Sequence, residues 1–188
     1  MLFNGFNRHT DLEGLHAPFS PSQSSWLRYT EEKAAEVYLN KKAAEMGTRL
    51  HEWAKNTIDL KIRQPRSKKT IYAYVNDAIG FGMDTEVVLF YSPRFFGTAD
   101  SIAFKNNFLR IHDLKTGVRK VHMEQLKIYA ALFCLEYKVR PGDIDIELRL
   151  YQNDEVEIYI PTVDEIAHIM DHIVRLDKLL EKMEYEEV

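Results

Sequence analysis

The chain has 188 residues, 45% of them hydrophobic, and a formal net charge of -4. That length suits one domain over residues 1–188, and that apolar content excludes wholesale disorder. The charge carries no bulk nucleic-acid signal, although an acidic metal site beside a locally basic groove fits it. The single cysteine, Cys134, excludes an intrachain disulfide framework and a four-cysteine metal site, and it fits a reducing, cytoplasmic compartment. Within the apolar stretch from Ala130 to Leu135 it reads as a core residue. No run approaches the roughly 20 apolar residues of a membrane span, and residues 1–16 lack the apolar core of a signal peptide. We therefore expect a soluble protein with no membrane partner.

Residues 1–20 read as a loop-like lead-in, followed by a helix through Trp26 and Tyr29. Thr30 caps a long helix from Glu31 to about Asp59, with Ala35, Leu39, Met46, Leu50, Trp53, Ala54 and Thr57 near helical period. A basic linker over residues 64–69 precedes a short helix through Tyr72, Val75 and Ile79, which Gly80 and Gly82 break. Strands are expected at residues 86–91, 97–104 and 108–114, a helix at 121–137, and strands at 143–151 and 156–160. Thr162 with Glu165 three residues later forms a capping box for a last helix, which ends in an acidic tail at residues 181–188. Three meandering strands, a helix, two strands and a helix define an α/β domain with a mixed sheet flanked by helices.

The chemistry concentrates between Thr98 and Lys115. Asn106-Asn107 separates two strand-like runs, and asparagine tolerates the left-handed conformations of a two-residue turn. Placing them there pairs Lys105 with Phe108, Phe104 with Leu109, Ile102 with Ile111 and Asp100 with Asp113. One face then ends in two carboxylates, with Lys115 two residues beyond; Ser101, Arg110 and His112 take the other face. Facing carboxylates need a shared proton, a nearby cation or a bound metal. Hard oxygen ligands suit Mg²⁺ or Mn²⁺, and Lys115 is placed to orient or deprotonate an attacking water. The plain alternative is a solvated rim with Lys115 as a salt-bridge partner. Acid-x-Lys alone decides nothing, because it occurs four times, starting at Glu31, Asp59, Asp113 and Glu136.

The run Gly97-Thr98-Ala99-Asp100, twelve residues, then Asp113-Leu114-Lys115-Thr116-Gly117 resembles the core motif of the PD-(D/E)XK nuclease superfamily. It is most similar to the RecB-like exonuclease branch, which includes CRISPR-associated exonucleases. Gly47-x-x-x-His51 resembles that branch's upstream histidine motif, Gln125-x-x-x-Tyr129 its downstream helix motif, and Ser20-Pro21-Ser22-Gln23 its serine-rich opening. The resemblance implies a restriction-endonuclease-like core and a metal-dependent deoxyribonuclease, an exonuclease leaving 5′-phosphate and 3′-hydroxyl ends. It implies that His51, Asp100, Asp113 and the backbone carbonyl of Leu114 hold Mg²⁺ or Mn²⁺. Lys115 would be the catalytic lysine, Glu86 an acid serving water or a second metal, and Gln125 and Tyr129 residues that position DNA or brace the site. Alanine replaces proline before Asp100, and the second acid is aspartate; both occur in that branch. Many members carry four cysteines around an iron–sulfur cluster; with one cysteine this chain resembles a cluster-free, minimal version with no helicase part.

A lone helical histidine is commonly structural, but Gly47 one turn before His51 costs about 1 kcal/mol relative to alanine, which points to close approach by another backbone. Glu86 alternates with Val88 and Phe90, and a strand-edge charge explains it equally well. Without the other motifs, Gln125 and Tyr129 read as a surface amide beside a packed tyrosine. Lys120, His122, Arg63, Arg66, Lys68 and Lys69 are candidates for a phosphate-binding surface. His168 and His172, four apart on the last helix, lack a third ligand and are read as structural. The expected partner is DNA, with a recombination or CRISPR protein as a further partner in a phage, mobile-element or CRISPR-linked setting; oligomeric state stays open. Two alternatives remain: a non-cleaving DNA-binding or recombination-partner module on the same fold, and an unrelated metal-dependent hydrolase of small phosphoesters.

Overall fold

The computed structural model describes residues 10, 17–117 and 121–186. The chain divides into two compact units, Met1–Met46 and Gly47–Val188. In the first, a 3₁₀ turn over Ser24–Arg28 takes the place of the expected short helix. The Trp26 indole N–H donates to the Ser20 carbonyl at 2.9 Å, and the Lys41 ammonium donates to the Pro18 carbonyl at 2.7 Å. Helix α1 (Glu31–Asp59) starts in this unit. The Thr30 hydroxyl caps it by accepting the Lys33 N–H at 3.2 Å. Of the expected apolar stripe, Ala54 and Thr57 are buried, whereas Leu39 and Met46 are exposed. Periodicity marks a stripe but not what covers it.

The second unit contains the end of α1, then α2 (Thr70–Phe81), β1 (Asp84–Ser92), β2 (Phe95–Lys105), β3 (Phe108–Leu114), α3 (Glu124–Glu136), β4 (Asp145–Gln152), β5 (Glu155–Tyr159) and α4 (Val163–Glu186). The strands form one sheet in the order β1-β2-β3-β4-β5. All neighbours are antiparallel except β3 and β4, which run parallel because α3 carries the chain back across the sheet. This is an α/β fold with a mixed sheet flanked by helices, consistent with a restriction-endonuclease-like core. Helices α3 and α4 share a core with Leu89, Ala99, Ile102, Leu109, Ile111 and Leu148. A second core joins Ala54 and Ile58 of α1 and Tyr74, Val75 and Ala78 of α2 to Leu114 and Tyr151. Cys134 is buried in the first core.

Two-residue turns set the register. Asn106 and Asn107 have φ of 54° and 58°, and Asn153 and Asp154 have φ of 51° and 60°, the paired positive values of a tight hairpin whose twist matches its strands. Lys105 pairs with Phe108, Phe104 with Leu109 and Ile102 with Ile111, as the turn arithmetic requires. Gly82, at φ 64°, closes α2 with its N–H on the Ala78 and Ile79 carbonyls. The Thr162 hydroxyl and the Glu165 carboxylate exchange hydrogen bonds with each other's N–H at 3.2 and 2.8 Å, completing the box that starts α4. Among the described residues, no helix is long and apolar enough to cross a membrane.

Because a β-branched residue resists the left-handed region, Asn107→Val is expected to cost about 1–2 kcal/mol. Urea unfolding of wild type and variant checks this; equal midpoints would contradict the role given to the turn.

Candidate active site

The expected register stops where the site begins. The β2–β3 ladder ends at Ser101 opposite His112, so Asp100 and Asp113 do not form the backbone pair that the turn arithmetic gives. Continued pairing would set Leu114 opposite Ala99. Instead the Leu114 N–H donates 2.9 Å to the Asp100 carboxylate, a side chain standing in for a backbone acceptor. The β1–β2 ladder also pauses here: Thr85 pairs with Ser101 and Val87 with Ala99, leaving Glu86 and Asp100 unpaired between them. Glu86 sits at φ 53°, a left-handed conformation inside a strand. Such backbone costs on the order of 1–3 kcal/mol and gathers at functional sites. The break alters the facing: Ala99 and Ile102, three residues apart, both enter the α3 core.

Around this break six of the expected side chains fall into two contact groups, His51 with Asp100, and Asp113 with Lys115, Gln125 and Tyr129. On α1, His51 Nδ1 lies 3.4 Å from Asp100 Oδ2. Asp113, at the end of β3, is 1% exposed. The Lys115 ammonium donates to Asp113 Oδ1 at 3.0 Å and stands 3.0 Å from Oδ2. The same ammonium donates to Gln125 Oε1 at 2.9 Å, and Gln125 Nε2 donates to the Tyr129 hydroxyl at 3.0 Å. Gln125 and Tyr129, one turn apart on α3, present the same face. The Lys115 N–H donates 2.9 Å to the Tyr151 carbonyl, so the sheet still holds the backbone where the side chain reaches into the site. Glu86 is exposed beside the break, and among the described residues the hydrogen bonds of the Lys115 chain do not include it.

Two glycines allow the approach. A Cβ on Gly97 would lie 2.9 Å from Tyr129 Cε1, so only glycine in this strand admits the ring. A Cβ on Gly47 would lie 2.8 Å from the Thr116 hydroxyl. The close neighbour of Gly47 is therefore a side-chain oxygen, not the backbone that its sequence context suggests. The same contact places α1, and with it His51, next to the end of β3.

The electrostatics is that of a site short of positive charge. Burial and the neighbouring Asp113 charge push the Asp100 carboxyl up to about 6, against the smaller opposing effects of the Leu114 N–H, His51 and Lys115. Burial raises Asp113 as well, with Lys115 opposing. Asp113 Oδ2 is buried and accepts no hydrogen bond. Among the described residues, no three His, Cys, Asp or Glu side chains are gathered as a ready metal cage. Lys115 lies against both oxygens of Asp113, and Asp100 is turned toward Leu114 and His51.

Other candidates lie apart. His112 is fully buried on the opposite face, against Phe81 and Tyr151. Burial, Arg149 and Arg110 push it down to about 3, so it stays neutral. His168 and His172 are exposed on α4, where His172 contacts Arg175. The basic linker splits: Arg63 and Arg66 line a cavity with Asn76 and Asp77, while Lys69 lines a separate one with Lys115. His122 is exposed, and Lys120 lies outside the described residues. Sequence reasoning missed the Leu114 N–H and the Thr116 hydroxyl. It quoted Gly97 without its cause, although a glycine inside a strand is itself a sign of close approach.

Comparison with models of protein families, with curated proteins and with solved structures returns no match.

Two outcomes follow for the metal-free protein. Asp100 keeps its proton to about pH 6 when folded but only to about pH 4 when unfolded. Between those values the unfolded chain binds fewer protons, so stability falls as pH rises, by on the order of 2–3 kcal/mol. Asp100→Asn should reduce that slope, leaving the smaller part that belongs to Asp113, and unfold at a higher temperature at neutral pH; an unchanged slope in EDTA would refute the assignment. Glu86→Gly should gain about 1 kcal/mol by relieving the left-handed backbone, read from thermal melts; a loss of stability would contradict the strain.

Proposed function

We infer that the chain is a Mg²⁺- or Mn²⁺-dependent deoxyribonuclease of the PD-(D/E)XK type, in its RecB-like branch, acting as an exonuclease. The observation that carries this reading is the Lys115 ammonium, held between buried Asp113 and Gln125, with Asp100 and His51 on the adjoining strand and helix. A rim salt bridge would leave its acid exposed; Asp113 is buried, with both oxygens against the Lys115 ammonium. In type the donors suit a divalent ion: two carboxylates of the kind Mg²⁺ and Mn²⁺ prefer, with an imidazole, although among the described residues they are not drawn into one cage. Asp100, Asp113, His51 and the Leu114 carbonyl would hold the ion.

A bound divalent ion supplies neutralisation of the scissile phosphate and a lowered pKa for bound water. The protein's own groups do the rest. Lys115 offsets the charge that develops on the phosphate and aligns the attacking water. Asp113 and Gln125 fix that ammonium, so no reorganisation is needed as charge develops. Tyr129 holds Gln125 in turn, and His51 and the Leu114 N–H hold Asp100. Glu86 stands ready at the margin as an acid for water or a second ion. DNA as substrate and exonucleolytic action rest on the motif resemblance.

A non-cleaving DNA-binding module on the same fold is the second reading, and the Lys115 ammonium lying against both oxygens of Asp113 favours it. It predicts tight, salt-sensitive binding without turnover. Alanine at Asp100, Asp113 or Lys115 should lower cleavage by roughly 10²–10³-fold or more, the scale of one preorganised electrostatic group. Single-turnover cleavage of labelled DNA measures this; near-normal rates for Lys115→Ala would sink the mechanism.

A further inference from the structure

Lys115, with Leu114 and Thr116 on either side of it, lines a cavity of about 220 Å³, while its ammonium is held by Asp113 and Gln125. Its walls include Leu50 on α1, Lys69 and Thr70 at the start of α2, Thr116 after β3, and Asp154 in the β4–β5 turn. Drug-sized ligands fill pockets of roughly 300–1,000 Å³, so this space takes a fragment, a phosphate with part of its sugar. Its polar groups sort by availability. The Thr70 N–H is taken, donating 3.3 Å to Asp154 Oδ1, and the Asp154 N–H reaches the Thr70 hydroxyl at 3.3 Å. That exchange ties the turn to α2 and fixes one wall. Lys69 is exposed; its ammonium lies 5.6 Å from the Tyr72 ring centroid, and no carboxylate is within ion-pair distance among the described residues. The Thr116 hydroxyl is exposed too, and its place is set by Gly47, where no Cβ intervenes.

We propose that this cavity is a subsite for a second phosphate of the nucleic-acid strand, next to the one at Lys115, with Lys69 and the Thr116 hydroxyl as its contacts. This deepens the nuclease reading and rests on it for the identity of the strand. The chemistry is that of a phosphodiester: Lys69 supplies a point charge and Thr116 a donor, the usual means by which backbone contacts fix register without reading sequence. Asp154 lines the same space with the opposite charge, which opposes anion binding there. Lys68, one residue away, does not line the cavity, so a general basic patch and this subsite make different predictions.

The test is equilibrium binding of a short labelled single-stranded oligonucleotide in EDTA, over a range of salt, for wild type, Lys69→Ala, Lys69→Arg, Lys68→Ala, Thr116→Ala and Asp154→Asn. Asparagine keeps both the acceptor for Thr70 and the left-handed turn. Lys69→Ala should weaken binding about fivefold and lower the salt slope by about one. Lys69→Arg should restore most of the affinity, Thr116→Ala should weaken it, and Lys68→Ala should stay near wild type. Asp154→Asn should tighten binding roughly twofold. Wild-type affinity and slope for Lys69→Ala, an equal loss for Lys68→Ala, or no binding by wild type would each overturn the subsite. Cleavage in Mg²⁺ is scored separately: its absence with the binding pattern intact removes the nuclease reading and leaves the phosphate contact standing.

Discussion

The ammonium of Lys115, held at 3.0 Å by buried Asp113 and at 2.9 Å by Gln125, is the contact on which the site depends. An isolated carboxylate buried this deeply would give up its charge. Lys115 is the cation that opposes this, and the sheet delivers it by fixing the Lys115 backbone on Tyr151 while β3 ends. The parallel β3–β4 pairing, the α3 crossover and the placement of Gln125 all bear on this one ion. Asp100 has less compensation, one N–H and one imidazole. Burial and the Asp113 charge raise its carboxyl despite these partners, which leaves the cluster receptive to further positive charge.

The irregular backbone around Asp100 is part of the same economy of charge. In a regular ladder the Leu114 N–H would bond a strand carbonyl, and Asp100 would have no donor. By giving up pairing at Glu86 and Asp100, β1 and β2 release a carboxylate to take that N–H. Glu86 bears the conformational cost at φ 53°. The two close approaches, of Tyr129 over Gly97 and of Thr116 against Gly47, then close the site from α3 and from α1. The elements holding the chemistry are regular; the residues between them are where regularity is spent.

Much of this was legible from residue order. Asn106-Asn107 encodes a two-residue turn, and period-two alternation then fixes each pair down to Ser101 and His112. The same arithmetic puts His112 on the far face, where it is found. It fails at Asp100, because pairing rules count backbone acceptors and cannot foresee a side chain replacing one. The approach of Gln125 and Tyr129 to Lys115, and of His51 to Asp100, is tertiary, and only the motif resemblance pointed to it. Lys69 lay hidden in a basic linker whose members go to two different cavities. Leu39 and Met46, read as part of an apolar seam, are exposed, since helical period reports a stripe and not its cover.

The most direct test of the central claim is cleavage of end-labelled linear DNA beside closed circular DNA, single- and double-stranded, with Mg²⁺, with Mn²⁺ and with EDTA. The account predicts loss of linear but not circular substrate with either metal and none in EDTA. Linear DNA left intact under every metal condition, or degraded equally in EDTA, would contradict it.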